Sequence, residues 1–367
     1  MNDWMPERLS DTTRALVPEL LAFLAQDGCD DAAFDAMARR VFAHQHAHSP
    51  ALQRFCQRRG ITPRRVHTWR DIPAVPIHAF KEVTLSCEPI EACERVFMTS
   101  GTTRAEARGR HHHPTIAVWD QSMRRHFAAC FMPGGQRMPM AILFPPETEL
   151  GNSSLARYLA QAVREFGTDD SAWYLSASGL DLSGLRARLR DAERSGQPLA
   201  VLGASYGFVH LLDAMAQDGD SVCLPAGSRI LDTGGYKRQS RELAAEDFYV
   251  ELSARLGMPR AQCINMYGMT ELSSQFYDAG NAVTPAVKRG PHWVRSRVVD
   301  PMTGREMPAG ERGVLVHCDL ASFNSTSTIL TEDVGIATPD GFVLLGRAEG
   351  AQARGCSLAV AEFLGAA

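Results

Sequence analysis

Several features that define large protein classes are missing from this sequence of 367 residues. No apolar run approaches the ~20 residues that a membrane-spanning helix needs, and the N-terminus lacks the charged and apolar regions of a signal peptide. The nine cysteines are scattered and form no C-x-x-C pair, which predicts free thiols in a reducing compartment. The expected location is therefore cytoplasmic, without a membrane span.

The net charge and the spacing of the cysteines argue against a nucleic-acid-binding protein and against a cysteine metal site. The net charge of -4 leaves no basic excess, so nucleic acid is not expected as a partner. Cys87 and Cys93 are too loosely spaced to favour a metal site. The hydrophobic content of 45% and the charged content of 22% are ordinary for a globular protein, and the length allows more than one subdomain.

A hydroxyl-rich stretch follows the apolar pair Phe97 and Met98, which is typical of a strand end. Such a loop leaves its backbone amides open, its hydroxyls add donors, and a glycine permits a turn that other residues resist. The stretch predicts an anion site suited to phosphate, although no Gly-Lys-Ser/Thr follows as in a Walker loop. A plain loop is the alternative. The stretch consists of Thr99, Ser100, Gly101, Thr102 and Thr103.

The spacing of apolar residues predicts an α/β protein. Helices are expected over the first ~60 residues, followed by strands that alternate with helices. This alternation implies βαβ units and a mainly parallel sheet flanked by helices, with ligands at the carboxyl ends of the strands. From residue 288 onward, glycine- and proline-punctuated strands predict a small β subdomain. The predicted strands are 140–144, 199–202, 229–231, 263–266, 313–317 and 341–345, and the later helices are 154–166, 180–194, 205–216 and 238–256.

Two short segments after predicted strands carry groups suited to a nucleotide. Gly234 and Gly235 allow a flat ring to lie on the backbone, with Tyr236 over one face and Lys237 able to neutralise a phosphate or carboxylate. A plain glycine turn is the alternative. The second segment consists of Tyr267, a stacking surface, Gly268, Met269, Thr270, a hydroxyl donor, and Glu271, an oxygen ligand for Mg²⁺.

Three segments complete the set. Asp333, just before a glycine turn, can accept hydrogen bonds from a ribose diol, although a simple turn former is the alternative. Arg347 follows the last predicted strand and can pair with a ribose or phosphate oxygen. Cys356 is expected in a glycine-containing loop, where Arg354 would favour the thiolate, with a structural thiol as the alternative. The histidines 111–113 are interpreted as a basic flank of the phosphate loop.

Taken in order, these segments resemble the adenylate-forming superfamily of acyl ligases. The resemblance implies a phosphate loop at 99–103, an adenine-contacting turn at 234–236 and the start of a hinge motif at 346–347. It also implies that Tyr267 stacks on adenine, Thr270 contacts the α-phosphate and Glu271 helps to hold Mg²⁺, while Asp333 binds the ribose. ATP and Mg²⁺ are therefore the implied cofactors.

Within that superfamily the sequence is most similar to the LuxE acyl-protein synthetases, the fatty-acid-activating components of bioluminescence reductase complexes. In that family a cysteine near the C-terminus accepts the acyl group, and Cys356 matches it. The stretches that carry this likeness are 47–50, 71–77, 231–235, 267–272, 274–277 and 353–357.

Three departures accompany the resemblance. The usual glycine after the phosphate loop is Arg104, and the common hinge aspartate is Glu349. Few residues follow Arg347, where coenzyme A ligases carry a mobile C-terminal domain with a catalytic lysine. We expect that domain to be reduced to a short tail, as in LuxE.

The resemblance implies an enzyme that activates a carboxylic acid, expected to be a fatty acid, to acyl-AMP and transfers the acyl group to Cys356. Lys237 and Glu271 are expected to support the first step. An acyl reductase and an acyltransferase are the implied protein partners, and an oligomer is allowed. The alternatives are a ligase that uses free coenzyme A and a non-catalytic nucleotide-binding protein. The expected division is a core at 1–287, a β subdomain at 288–345 and a hinge and tail at 346–367.

Overall fold

A computed structural model describes residues 8–100, 108–235 and 240–366 of the chain. The contacts divide the chain into two units, and the three-part division expected from the sequence stays a prediction. The first unit contains Met1–Arg125, Met269–Gln275 and Arg289–Ala367, and the second contains His126–Gly268 and Phe276–Lys288.

The α-helices and strands of the described residues are numbered along the chain. The helices are α1 (Asp11–Leu24), α2 (Asp31–His48), α3 (Pro50–Arg58), α4 (Ala79–Glu82), α5 (Ala117–Cys130), α6 (Ser154–Phe166), α7 (Leu182–Ser195), α8 (Ser205–Gln217), α9 (Ala245–Leu256) and α10 (Gly350–Ala366). The strands are β1 (Val75–Pro76), β2 (Arg95–Met98), β3 (Arg110–His113), β4 (Met140–Leu143), β5 (Ala172–Trp173), β6 (Leu175–Ser176), β7 (Gly179–Leu180), β8 (Ala200–Ala204), β9 (Arg229–Thr233), β10 (Cys263–Tyr267), β11 (Phe276–Tyr277), β12 (Val287–Lys288), β13 (Val294–Val299), β14 (Arg312–Asp319), β15 (Thr328–Thr338) and β16 (Gly341–Arg347).

The second unit contains the predicted parallel sheet. Strands β5, β4, β8, β9 and β10 lie side by side and run parallel, and β11 pairs with β10 in the antiparallel direction. Val201, Leu202, Ile230 and Leu231 are fully buried, because a parallel sheet is covered on both faces. The α/β prediction is therefore confirmed.

The predicted helix 238–256 begins later than expected. α9 starts at Ala245, and Glu246 and Asp247 lie in its first turn. Acidic side chains stabilise a helix N-terminus because their negative charge interacts favourably with the positive end of the helix dipole. The predicted helix 154–166 coincides with α6, which Ser153 caps by accepting a hydrogen bond from the amide of Ala156.

A buried polar network ties β9 and β10 to the end of the second unit. Lys288 Nζ lies 2.7 Å from Asp278 Oδ2 and 3.0 Å from the carbonyl oxygen of Asn265. Asn265 Nδ2 donates to Asp232 Oδ2 at 2.8 Å, and Tyr249 donates to Asp232 Oδ1 at 2.9 Å. Burial raises the pKa of Asp232 to about 6, although these hydrogen bonds act in the opposite direction. The network fixes the backbone just before Gly234 and Tyr267.

The first unit begins with the predicted helices and contains an antiparallel sheet. α1, α2 and α3 occupy the segment that was expected to be helical. β13, β14, β15 and β16 pair in sequence order, and β1 runs parallel to β15. These strands confirm the β structure predicted beyond residue 288.

Two predicted turns in this unit are wrong. Asp333 does not precede a turn but lies within β15, and the expected loop around Cys356 is the middle of α10. Cys356 and Phe363 are buried, so apolar packing favours helix over the turn that the glycines suggested. A Cβ atom built on Gly355 would lie 2.8 Å from Pro301 Cβ, which explains a glycine inside this helix.

No helix in the described ranges is both long enough and apolar enough to cross a membrane.

We expect Lys288→Met to lower the free energy of unfolding by about 3 kcal/mol, because it leaves the carboxylate of Asp278 buried without its cation. Urea denaturation measures this change. Arg194→Gln breaks a pair with Asp191 whose arginine side chain is 76% exposed, and it should change stability by less than about 0.5 kcal/mol. Equal effects of the two substitutions would contradict the structural role of Lys288.

Candidate adenylation site

The hydroxyl-rich loop leaves β2 where the sequence predicts. β2 ends at Met98, and the amide of Thr99 donates to the carbonyl of Gly109 at 3.0 Å. The amide of Gly109 donates in return to Thr99 Oγ1 at 2.9 Å. These two bonds close the base of the loop. Ser100 is exposed there, and the predicted residues Gly101, Thr102 and Thr103, with the departure Arg104, lie outside the described residues.

Glu271 lies at the base of this loop. A Cβ atom built on Gly109 would be 3.2 Å from Glu271 Oε1 and 3.2 Å from Thr99 Cγ2. The side chain is buried, and burial raises the pKa of the carboxyl to about 7. Lys81 and Arg347 act to lower this pKa, and Asp333 acts to raise it. A carboxylate here gains from a nearby cation because its charged form is poorly solvated.

The donor set suits Mg²⁺ better than a transition metal. No group of three or more His, Cys, Asp or Glu side chains able to hold a metal occurs among the residues that the structure describes. Mg²⁺ keeps several of its waters and is bound through one or two carboxylates together with phosphate oxygens. Glu271, buried beside the base of the loop, fits that requirement, so a Mg²⁺ bound with a nucleotide would take its protein ligand from Glu271.

Hydrogen bonds from two directions hold the turn that carries Glu271. His111 Nδ1 lies 3.0 Å from the carbonyl oxygen of Thr270, and His111 Nε2 lies 3.0 Å from Ser325 Oγ. A carbonyl only accepts, so Nδ1 donates and the neutral ring accepts from the serine at Nε2. On the other side, Asp319 accepts from the amides of Ser273 and Ser274 at 2.8 and 2.9 Å.

The interpretation of the three histidines as a basic flank is wrong. His111, His112 and His113 lie on β3, paired with β2, and all three are buried. Burial lowers the pKa of all three, that of His111 to about 4. The rings are therefore neutral at physiological pH and bring no positive charge to the loop.

Asp333, the carboxylate predicted to bind the ribose, faces an arginine on the neighbouring strand. Asp333 on β15 is in register with Arg347 on β16, and Arg347 Nε lies 3.2 Å from Asp333 Oδ1. Arg347 also pairs with Glu332 at 3.3 Å, and its side chain is 69% exposed. Asp333 and Arg347, predicted from separate motifs, are thus brought together.

Cys356 lies next to the same strand. Its thiol donates to the carbonyl of Thr331 at 3.7 Å, and the residue is 4% exposed. Burial and the charges of Glu332 and Asp333 raise the pKa of the thiol to about 11. The expectation that Arg354 favours the thiolate is wrong in this arrangement, because Arg354 is exposed and the nearest charges are negative.

The second unit contains the remaining predicted residues. Gly234 follows β9 with a left-handed φ of 73°, which suits glycine. Thr233 Oγ1 donates to the carbonyl of Met266 at 2.8 Å and so joins the ends of β9 and β10. Tyr267 ends β10, and Gly268 is the last residue of this unit before the chain passes to Met269.

Sequence reasoning therefore assembled part of the site and missed its supports. Within the first unit, Glu271 lies near Thr99, and Asp333 pairs with Arg347; within the second, Gly234, Gly235 and Tyr267 follow neighbouring strands. Tyr236 and Lys237 lie outside the described residues. The supports that were missed are His111, Asp319, Ser325 and the network around Asp232. Only the run of three histidines gave a signal, and it was misread.

Comparisons with known proteins place the chain among acid-activating ligases. The family described as "Acyl-protein synthetase, LuxE" matches residues 25–365. A long-chain-fatty-acid–luciferin-component ligase of Vibrio harveyi is 22% identical, and the match covers 82% of this chain and 78% of that relative. The ligase of the same name from Aliivibrio fischeri is 23% identical, over 90% of this chain and 88% of the relative.

Solved structures show the fold. A 2-hydroxyisobutyryl-CoA ligase with an acyl-adenylate and CoA bound matches with a TM-score of 0.62 at 15% identity, over 86% of this chain and 69% of that one. ATP-bound MatB from Rhodopseudomonas palustris matches with a TM-score of 0.51 at 17% identity, over 71% of this chain and 49% of that one. The architecture is thus that of the adenylate-forming enzymes, and the chain belongs to the LuxE acyl-protein synthetase family.

Proposed function

We propose that this protein activates a fatty acid with ATP and stores the acyl group as a thioester on Cys356. Membership of the LuxE family and the adenylate-forming fold support the activation step. One observation carries the storage step. The thiol of Cys356 contacts the carbonyl of Thr331, two residues before Asp333 on the same strand.

In the first step a carboxylate oxygen of the acid attacks the α-phosphorus of ATP, and pyrophosphate leaves. The step needs orientation of the reactants and stabilisation of phosphate charge more than any group chemistry from the protein. We assign contacts with the phosphates to the backbone amides and hydroxyls of 99–103, to Thr270 and to Lys237. Mg²⁺ held by Glu271 would supply the positive charge.

We assign the base and the ribose of the nucleotide to the remaining predicted residues. Gly234, Gly235 and Tyr236 with Tyr267 would hold the adenine, since glycine backbone and an aromatic ring both accept a flat base. Asp333 would accept hydrogen bonds from the ribose hydroxyls. Arg347 pairs with Asp333 at 3.2 Å, so its guanidinium can orient that carboxylate.

In the second step the sulfur of Cys356 attacks the acyl carbonyl carbon, a C–S bond forms, and AMP leaves with the electron pair of the C–O bond. A nucleophile on the same chain makes this transfer effectively unimolecular. The thioester keeps the carboxyl group activated after AMP has gone. It can then pass to an acyl reductase, as the family's role implies.

The choice of a fatty acid rests on the named relatives and on one cavity. The second unit has a cavity of about 820 Å³, and Leu175, Leu180, Leu182 and Tyr206 are among its lining residues. Ligand pockets of small molecules are about 300–1,000 Å³ and largely apolar. The volume of this cavity falls in that range, and its lining combines these apolar residues with polar ones such as His210 and Asp213. The cytoplasmic location, the partner proteins and the oligomeric state stay predictions.

A ligase that uses free coenzyme A is the second candidate, since the matching 2-hydroxyisobutyryl-CoA ligase binds coenzyme A. The two candidates differ in the acceptor thiol. A coenzyme A ligase forms a soluble thioester whether or not Cys356 is present. Storage on the protein requires Cys356.

We expect Cys356→Ser to abolish hydroxylamine-sensitive labelling of the protein by a radioactive fatty acid, and to leave ATP–pyrophosphate exchange within about twofold of the wild-type rate. The serine keeps the shape of the site but lacks the thiol. Both assays should be run with acids of increasing chain length. Cys223→Ser is the matched control, because Cys223 is exposed. Undiminished labelling of Cys356→Ser would exclude Cys356 as the acceptor.

Glu271→Gln should slow pyrophosphate exchange by about 100-fold. In the wild type, the carboxyl with a pKa of about 7 is mostly protonated below that pH and ionised above it. The half-saturating Mg²⁺ concentration should therefore fall as the pH rises from about 6 to 8, because Mg²⁺ binding displaces the proton. In Glu271→Gln, the half-saturating Mg²⁺ concentration should no longer fall over this pH range. Glu82→Gln, an exposed glutamate on α4, should behave as wild type. An unchanged pH dependence in Glu271→Gln would rule out this ligand.

His111→Phe should raise the half-saturating Mg²⁺ concentration by about tenfold, because the Thr270 carbonyl loses its donor and the Glu271 turn shifts. His111→Asn is the conservative variant, since its amide nitrogen stands near the position of Nδ1 and can still donate. Mg²⁺ titrations of pyrophosphate exchange measure both. If His111 only stabilised the fold, the phenylalanine variant would unfold more easily but keep the wild-type Mg²⁺ dependence.

A further inference from the structure

Cys356 shares a crevice with an imidazole and a carboxylate. The crevice is lined by Cys356 and Val360 of α10, by residues of the segment around β1, and by Leu330, Thr331 and Glu332 of β15. The segment around β1 contributes Pro76, Ile77 and His78. His78 Nε2 lies 2.6 Å from Glu332 Oε1, and both side chains are about one-third exposed. A thiol, an imidazole and a carboxylate therefore meet at one place.

We propose that His78, oriented by Glu332, is the general base that takes the proton from Cys356 during acyl transfer. The inference rests on the proposed function, in which Cys356 is the acyl acceptor. Its chemistry follows from the arrangement of the three side chains.

The resting thiol needs such a base. Its pKa of about 11 leaves about one molecule in 10,000 as thiolate at pH 7. The thiolate is the nucleophilic form, and the nearby charges of Glu332 and Asp333 disfavour it. A base that removes the proton as the sulfur attacks avoids a free thiolate among these negative charges.

The pairing with Glu332 fixes which ring nitrogen can act. A carboxylate oxygen accepts, so Nε2 of His78 carries the proton and donates to Glu332. The neutral ring then has Nδ1 as its free acceptor. The hydrogen bond with His78 and the charges of Arg347 and Lys81 lower the pKa of Glu332, so it stays ionised.

The transfer then balances in one step. The Cys356 proton passes to His78 Nδ1, the sulfur bonds to the acyl carbon, and the C–O bond to AMP breaks with its electron pair on the phosphate. The imidazolium formed is stabilised by Glu332 and later loses its proton to water. Among protein side chains, a neutral imidazole is the most common general base.

A purely structural role of the contact between His78 and Glu332 is the alternative to a role in proton transfer. The hydrogen bond between His78 and Glu332 lies beside α10, and in a purely structural role it would only hold that helix in place. A second pair on α10 supplies the comparison, since Nε of Arg59, the residue after α3, lies 2.7 Å from Glu362 Oε1. Arg59→Gln removes a pair that docks the same helix and leaves the crevice residues intact.

The test is single-turnover transfer of a labelled acyl group from acyl-AMP to Cys356, with pyrophosphate exchange measured in parallel. His78→Ala should slow transfer by about 100-fold and leave exchange within about twofold. Added imidazole should restore part of the rate. Arg59→Gln should transfer at the wild-type rate. Transfer by His78→Ala at the wild-type rate, or an equal loss in Arg59→Gln, would overturn the proposal.

Glu332→Gln separates orientation from simple electrostatics. The charge of Glu332 raises the pKa of the thiol, so its removal alone would speed transfer. The proposal expects slower transfer, by about tenfold, because the imidazole loses its orienting partner. Faster transfer in Glu332→Gln would contradict the role given to His78.

The wild-type pH profile provides a measurement that needs no variant. The charged groups near Cys356 and His78 are Lys81 of α4, Glu332 and Asp333 of β15 and Arg347 of β16. The transfer rate should reach a plateau well below the pKa of the thiol, because a base removes the proton and no free thiolate has to form first. A rate that keeps rising towards the pKa of the thiol would overturn the proposal. A wild-type protein that carries out exchange but never labels Cys356 would instead refute the storage step of the proposed function.

Discussion

One strand, β15, carries the predicted ribose carboxylate and contacts the thiol that we propose as the acyl acceptor. Asp333 pairs across the sheet with Arg347, and the thiol of Cys356 donates to the Thr331 carbonyl. Hydrogen bonding on both sides, to β14 and to β16, fixes the backbone of β15. Thr331 and Asp333 are two positions apart on this strand, so the sheet sets the distance between the carboxylate and the carbonyl that the thiol contacts.

Burial raises the pKa of both Glu271 and Cys356, but the effect on the proposed reactivity differs between the two groups. It raises the pKa of Glu271 to about 7, where a metal can displace the proton at physiological pH. It raises the pKa of Cys356 to about 11, where the thiol is inert. A resting thiol of this kind resists oxidation and unwanted acylation. In the mechanism that we propose, the same burial makes a base necessary for acyl transfer.

The parts that sequence reasoning predicted are those set by local pattern. Apolar runs such as 263–266 specify buried strands whatever surrounds them, and the family motifs are short and continuous. The prediction of a loop around Cys356 was wrong because Gly355 suggested a turn. Gly355 instead lets α10 approach Pro301 closely. The histidines of β3 were misread because their burial depends on pairing with β2. Contacts between distant segments, such as His111 with Thr270 or His78 with Glu332, leave no spacing in the sequence from which they could be predicted.

The most direct test of the central claim is to locate the acyl group on the protein. After incubation with ATP, Mg²⁺ and a fatty acid, proteolysis and mass spectrometry at low pH would identify the modified peptide. The account predicts a thioester on the peptide that contains Cys356 and on no other. An acyl group on a different cysteine, or formation of acyl-AMP without any acylated peptide, would contradict it.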